Sequence, residues 1–269
     1  MSGPFSLLAI FAHPDDESFT VGGTLARYAT EGVVVSLLCA TRGEAGIEGM
    51  GPGEAARVRQ QELRAACAVL GVREVRFLSY RDGELAQADP AEVTARMAQA
   101  MRELRPQVVI TFGPDGISGH PDHVAVSRLA TAAFDAVASE GFVRRLYYVA
   151  PSPATEQGCG VPAGEVGEGV TGIDISPYRE AKVRAIQCHR SQHQPFPGEP
   201  VEEAERLWSA TSSSAWREAR VHQGLTCSLA WTERAFRPPR FALRYGHIAA
   251  QGAGHELYHE QCQENLGGL

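Results

Sequence analysis

Ser6-Leu7-Leu8-Ala9-Ile10-Phe11-Ala12-His13-Pro14-Asp15-Asp16-Glu17 takes the chain from an apolar run of strand length straight into an imidazole and three carboxylates. A second apolar run, Val108 to Phe112, is followed by Gly119-His120-Pro121-Asp122-His123. A short apolar run bounded by turn residues reads as a buried strand. Each His-Pro-Asp cassette therefore stands just beyond the carboxyl end of a strand. One cassette alone is a weak signal. Two at matching places put histidines and carboxylates together on one sheet edge, where open α/β sheets bind their ligands.

The segments around them alternate. Strand-like runs over Leu7 to Phe11, Val33 to Cys39, Val75 to Ser79, Val108 to Phe112 and Arg145 to Val149 are separated by helical patterns. The helices are expected over Gly22 to Thr30, Glu54 to Leu70 with Gly71 as C-cap, Asp89-Pro90 to Leu104, and His123 to Ser139. Such alternation predicts right-handed crossovers and an α/β fold: a Rossmann-like, doubly wound, mostly parallel sheet with helices on both faces. Residues 1–150 form that core. Residues 151–269 add a Gly- and Pro-rich loop or flap (151–172), a strand near Ile173-Asp174-Ile175, a helix over Pro177 to Gln192, and a polar tail from Gln251. The whole is expected to complete one domain.

Composition narrows the function. The chain has 269 residues, 43% hydrophobic and 21% charged, with a net charge of −7, which suits an ordinary soluble globular protein. No basic stretch offers a nucleic-acid footprint. No run approaches the roughly 18 apolar residues of a membrane helix, and Met1-Ser2-Gly3-Pro4 lacks the basic start of a signal peptide. A cytoplasmic protein with no nucleic-acid or membrane partner is expected, with homo-oligomerisation left open. The six cysteines (Cys39, Cys67, Cys159, Cys188, Cys227, Cys262) form no Cys-x-x-Cys pair and read as reduced thiols.

Catalytic zinc commonly takes three His or Asp/Glu ligands and keeps a fourth position for water. His13 and Asp16, three residues apart, can face one side of a first helical turn, and His123 would complete a His-Asp-His set. The metal would bring the pKa of water toward ~7 and polarise a carbonyl. Asp15 would serve as general base, and His120 would donate to the oxyanion or leaving amine with Asp122 holding its ring. Spacing alone leaves open which of Asp15 and Asp16 is the ligand.

The pair of cassettes resembles the LmbE-like, or PIG-L, family of zinc-dependent N-deacetylases, and the likeness spans most of residues 5 to 195. The resemblance implies zinc on His13, Asp16 and His123, Asp15 as base, and His120 stabilising the tetrahedral intermediate with support from Asp122. It extends to Thr41-Arg42-Gly43-Glu44, to Arg59 with Glu62, and to Asp82 in Arg81-Asp82-Gly83. In sugar-deacetylating relatives, positions like Arg59 and Asp82 hold substrate hydroxyls or phosphate, so these two, Glu44 and Ser118 are expected to line the substrate. Read without the family, Arg59 is a solvated charge on a helix face. Lys182, Ala185, His189 and Gln192 match a further stretch, and His189 with His193 reads as a satisfied or exposed pair. The chain departs from mycothiol-pathway members at Ser118, where they carry tyrosine. The implied substrate is an N-acetylated amino sugar or its small conjugate, with N-acetylglucosaminyl-malate as the leading candidate. Another small amide, or a non-catalytic sugar- or nucleotide-binding module, is the alternative. Fe²⁺ suits the same ligands as Zn²⁺.

His255-Glu256-Leu257-Tyr258-His259 fits the helical H-E-x-x-H zinc signature. Only ten residues follow to supply a third ligand, and Gly252-Ala253-Gly254 is a poor entry to a helix. These are expected to be incidental tail residues.

Overall fold

The computed structural model describes residues 4–150, 170–192 and 255–260. Five parallel strands form the body of one sheet: β1 (Ser6–Phe11), β2 (Val34–Thr41), β3 (Glu74–Tyr80), β4 (Val108–Phe112) and β5 (Arg145–Ala150). With β6 (Val170–Asp174) and β7 (His255–Glu260) the order is β3-β2-β1-β4-β5-β7-β6. β7 is antiparallel to both β5 and β6. Strand β1 lies between β2 and β4, with Leu7 opposite both Val35 and Val108. The chain winds outward through β2 and β3, then returns to the other side of β1 for β4 and β5. The reversal between β1 and β4 is the topological switch point of the sheet. Both cassettes leave it.

Strands buried on both faces are apolar throughout instead of alternating. Leu8, Ala9 and Ile10 of β1 and Val109 and Ile110 of β4 are fully buried. At the carboxyl ends, the rings of Phe11 and Phe112 meet edge to face at 4.9 Å. They form an apolar floor beneath the two cassettes.

The helices are α1 (Asp16–Thr30), α2 (Pro52–Leu70), α3 (Pro90–Leu104), α4 (Pro121–Val137) and α5 (Arg179–Cys188). α2 ends at Gly71 in the left-handed conformation (φ 75°), and Asp89 caps α3 by accepting from Ala91 N–H at 2.9 Å. Two starts come earlier than the sequence suggests. α1 begins at Asp16, not Gly22, because its first turn buries polar residues (Glu17, Ser18, Thr20) that apolar periodicity does not register. α4 begins at Pro121, not His123, so Asp122 and His123 belong to its first turn.

The later region is corrected as well. The helix expected over 177–192 is α5 flanked by two short 3-10 turns, Ser176–Tyr178 and Arg190–Gln192. Residues 170–172 of the expected flap belong to β6, and the rest of it, 151–169, lies outside the described residues, as does His193. Residues 255–260 are neither tail nor helix. Their backbone is extended and pairs in register with β5 and β6, so the helical turn that H-E-x-x-H requires is missing. Among the described residues no helix is long and apolar enough to cross a membrane. Cys39 and Cys67 are buried free thiols.

Candidate active site

The first cassette makes one tight turn between β1 and α1. Asp15 is the residue before the helix, with φ 121° and ψ −29°, a conformation that L-residues rarely adopt. Asp16 turns back, and its Oδ2 accepts from the backbone N–H of Ala12 (3.1 Å) and of His13 (2.8 Å). The second cassette is a helix entry. His120 caps α4, Pro121 takes the first helical position, and the His120 Nδ1 accepts from Asp122 N–H at 3.1 Å. Gly116 (φ 66°) lets the preceding loop lie against α4, since a Cβ there would sit 2.8 Å from the His123 Cβ.

These turns bring the donor atoms of three residues together. His13 Nδ1 is 3.2 Å from His123 Nε2, Asp16 Oδ1 is 3.3 Å from His123 Nε2, and Asp16 Oδ2 is 3.8 Å from His13 Nδ1. Ligands of one tetrahedral zinc, each about 2.0–2.1 Å from the ion, stand about 3.3–3.4 Å from one another. The donor set fits such an ion in kind, and two of its three separations match that spacing, the one between Asp16 and His13 being wider. Both histidines are oriented for it from behind. His13 Nε2 faces Asp122 Oδ2 (3.2 Å) and Asp82 Oδ1 (3.1 Å), while His123 Nδ1 faces the Gly116 carbonyl and the Ser118 hydroxyl, each at 3.2 Å. A proton on each rear nitrogen leaves the front lone pair free for a metal. Phe112 stacks on the His123 ring at 4.2 Å and fixes its plane.

Two expected assignments change. The Asp122 carboxylate does not hold the ring of His120. It accepts from Gly83 N–H (2.8 Å) and Leu85 N–H (3.0 Å) and faces His13, because at the second position of the α4 turn it points into the protein. Arg59 is not a solvated helix charge. It is only 4% exposed, and it donates to Pro14 O (2.5 Å), Asp15 Oδ2 (3.2 Å) and Gly43 O (3.2 Å). Glycines at 43 and 46 leave room for it, since a Cβ at either would meet the guanidinium. Asp82 Oδ2 accepts from Ala45 N–H at 3.0 Å, and Glu44 Oε1 accepts from Asp82 N–H at 3.0 Å. Arg59, Asp82 and Glu44, expected to touch substrate, tie the loops around the turn, and of the three only Arg59 and Asp82 line the cavity above it.

Charge follows from the same contacts. Burial opposes a proton on His13, but the carboxylates of Asp122, Asp82 and Asp16 push its pKa up to about 10. Burial, then the neighbouring Asp16, raises Asp15 to about 7, and Arg59 restrains the rise. Burial and the adjoining His13 and His123 lower the pKa of His120. With Nδ1 accepting from the backbone, neutral His120 carries its proton on Nε2.

A cavity of about 540 Å³ opens over this cluster, and His13, Asp15, Asp16, His120 and His123 line it. Phe19, Phe112 and Ile117 give it an apolar wall, and the volume suits a small molecule. Sequence reasoning passed over Glu17, which is fully buried. Its signal was its place in the first cassette, directly after two carboxylates that claimed the chemistry.

Comparison with known proteins places the chain in a lineage. The family model described as PIG-L, GlcNAc-PI de-N-acetylase, matches residues 8–134, the stretch holding both cassettes. The 1D-myo-inositol 2-acetamido-2-deoxy-alpha-D-glucopyranoside deacetylase of Saccharomonospora viridis is 38% identical over 229 residues, covering 69% of this chain and 84% of that one. The chain belongs to the PIG-L family. As a PIG-L protein it is an N-deacetylase, a hydrolase of amide bonds. N,N'-diacetylchitobiose deacetylase from Pyrococcus horikoshii superposes with a TM-score of 0.59 at 25% identity, over 77% of this chain and 76% of that one. The PIG-L chain also shares its fold with a 4-carboxy-2-hydroxymuconate hydratase from Pseudomonas putida (TM-score 0.61, 22% identity, 98% of this chain and 100% of that one). Fold alone therefore does not select the reaction.

Proposed function

We propose that the protein is a zinc-dependent deacetylase that removes the acetyl group from an N-acetylglucosaminyl conjugate. The observation that carries this reading is the convergence of His13, Asp16 and His123 at ligand spacing beneath a cavity that Asp15 and His120 also line. Zinc bound by the three would act as a Lewis acid, acidifying a water and polarising the acetyl carbonyl.

The protein's own groups do the rest. Asp15, raised toward neutrality, takes the proton of the attacking water and can return it to the departing amine. His120 Nε2–H donates to the oxygen on which charge develops. Asp82 and Asp122 keep the proton of His13 on Nε2. Arg59 grips the Pro14 carbonyl and the Asp15 carboxylate, and so steadies the base.

The inositol glycoside on which the Saccharomonospora relative acts favours an inositol aglycone over the malate that the family resemblance implies. Ser118 bonds His123 from behind, so the position taken by tyrosine in mycothiol-pathway members supports a ligand here. The reaction is tested by zinc content per chain and by amine release from N-acetylglucosamine conjugates of inositol and malate. Asp15→Ala is expected to keep zinc and lose most turnover, whereas His13→Ala loses the zinc. Full activity in both variants rules the mechanism out.

A further inference from the structure

Asp15 keeps its unusual backbone because something holds its peptide. Its N–H donates to Glu17 Oε2 at 3.1 Å. The other oxygen of Glu17 accepts from Ser18 Oγ at 2.5 Å and from His189 Nε2 at 2.8 Å. Glu17, Ser18 and His189 are all fully buried. A buried carboxylate is tolerated only when charge or hydrogen bonds compensate it. His189 supplies that compensation from the end of α5, 172 residues away in sequence. Its Nδ1 has no hydrogen bond among the described residues, so Glu17 is the main polar partner of the ring.

The packing that delivers His189 is built for close approach. Gly23 of α1 faces Ile175, and a Cβ there would lie 2.7 Å from the Ile175 Cβ. Lys182 of α5 is buried and donates to the Thr20 carbonyl of α1 at 3.3 Å. These contacts fix α5 against the helix whose first turn carries the cassette.

We propose that Glu17 and His189 are a positioning pair for Asp15: His189 fixes the Glu17 carboxylate, and Glu17 fixes the Asp15 peptide so that the Asp15 carboxylate points into the cavity. This rests on the reading of Asp15 as the base. Neither residue lines the cavity.

The test combines crystal structures, zinc content and kinetics of the full chain. In His189→Ala the φ of Asp15 leaves 121°, zinc per chain stays as in the wild type, and kcat falls about 10- to 100-fold with KM nearly unchanged. His189→Gln, whose amide can still donate to Glu17, recovers most of that loss. Glu17→Gln keeps one acceptor oxygen and loses less than Glu17→Ala. If His189→Ala does not fold, Glu17→Ala set against Glu17→Gln carries the same comparison. An Asp15 torsion unchanged in the alanine variant, or an unchanged kcat there despite a moved torsion, overturns the proposal. So does a loss that tracks zinc content alone. A wild type that releases no amine from any N-acetylated sugar refutes the deacetylase reading instead, while the torsion still decides whether the pair holds Asp15.

Discussion

Asp122 Oδ2 lies 3.2 Å from His13 Nε2, a contact between cassettes 109 residues apart. It makes each cassette depend on the other, because the carboxylate from α4 sets the tautomer of a histidine at the end of β1. Asp122→Asn tests this. The amide can satisfy only part of what Asp122 does, since His13, Gly83 N–H and Leu85 N–H all face its two oxygens as donors. Zinc affinity, measured by chelator competition, should fall about 10- to 100-fold. The metal-free variant should be less stable by about 1–3 kcal/mol in urea titration.

The proton on His13 gives the metal-free protein a distinct pH dependence. Its folded pKa of about 10 lies above the ordinary 6.5, so the protonated form is the one that folding favours. That stability is fully present below pH 6.5 and is lost as pH rises through 10. The chelated protein should therefore show a Tm that declines over this window. Zinc must displace this proton and the one that Asp16 favours on His123, so its Kd should weaken by about tenfold to a hundredfold for each pH unit lowered below neutrality. Calorimetry in buffers of different ionisation enthalpy counts the protons released.

Arg59 restrains the pKa of Asp15, so removing its charge should move the base. In Arg59→Gln the carboxyl of Asp15 rises above about 7, and the acidic limb of kcat/KM shifts to higher pH. A limb that stays in place would mean that Arg59 acts only through its hydrogen bonds to Pro14 and Gly43.

The parallel core and the meeting of the cassettes were legible because they depend on local signals. Apolar runs marked β1 and β4, and the His-Pro-Asp motifs fell just past them. Contacts between distant carboxylates and histidines were not legible. Asp122 could equally have served its near neighbour His120, and only the direction of the α4 turn sends it to His13. Arg59 read as a surface charge because helix periodicity does not disclose a loop lying over that face. Strand β7 was hidden for the same reason. Its antiparallel partners, β5 and β6, lie far from it in the chain, and His255–Glu260 has no apolar run of its own.

Gly23 offers a test of how tightly α1 is held. In an ordinary helix interior, Gly→Ala stabilises by about 1 kcal/mol. Here the added Cβ would lie 2.7 Å from both the Cβ and the Cδ1 of Ile175, so α1 and the segment leading to α5 must separate. Gly23→Ala should instead destabilise by about 1–3 kcal/mol, the cost of overpacking a filled core. Ile175→Ala removes two of the three crowded atoms, so the double variant should be more stable than the two single losses predict, by at least about 0.5 kcal/mol. Strict additivity in urea titration would show that α1 and Ile175 yield to each other freely.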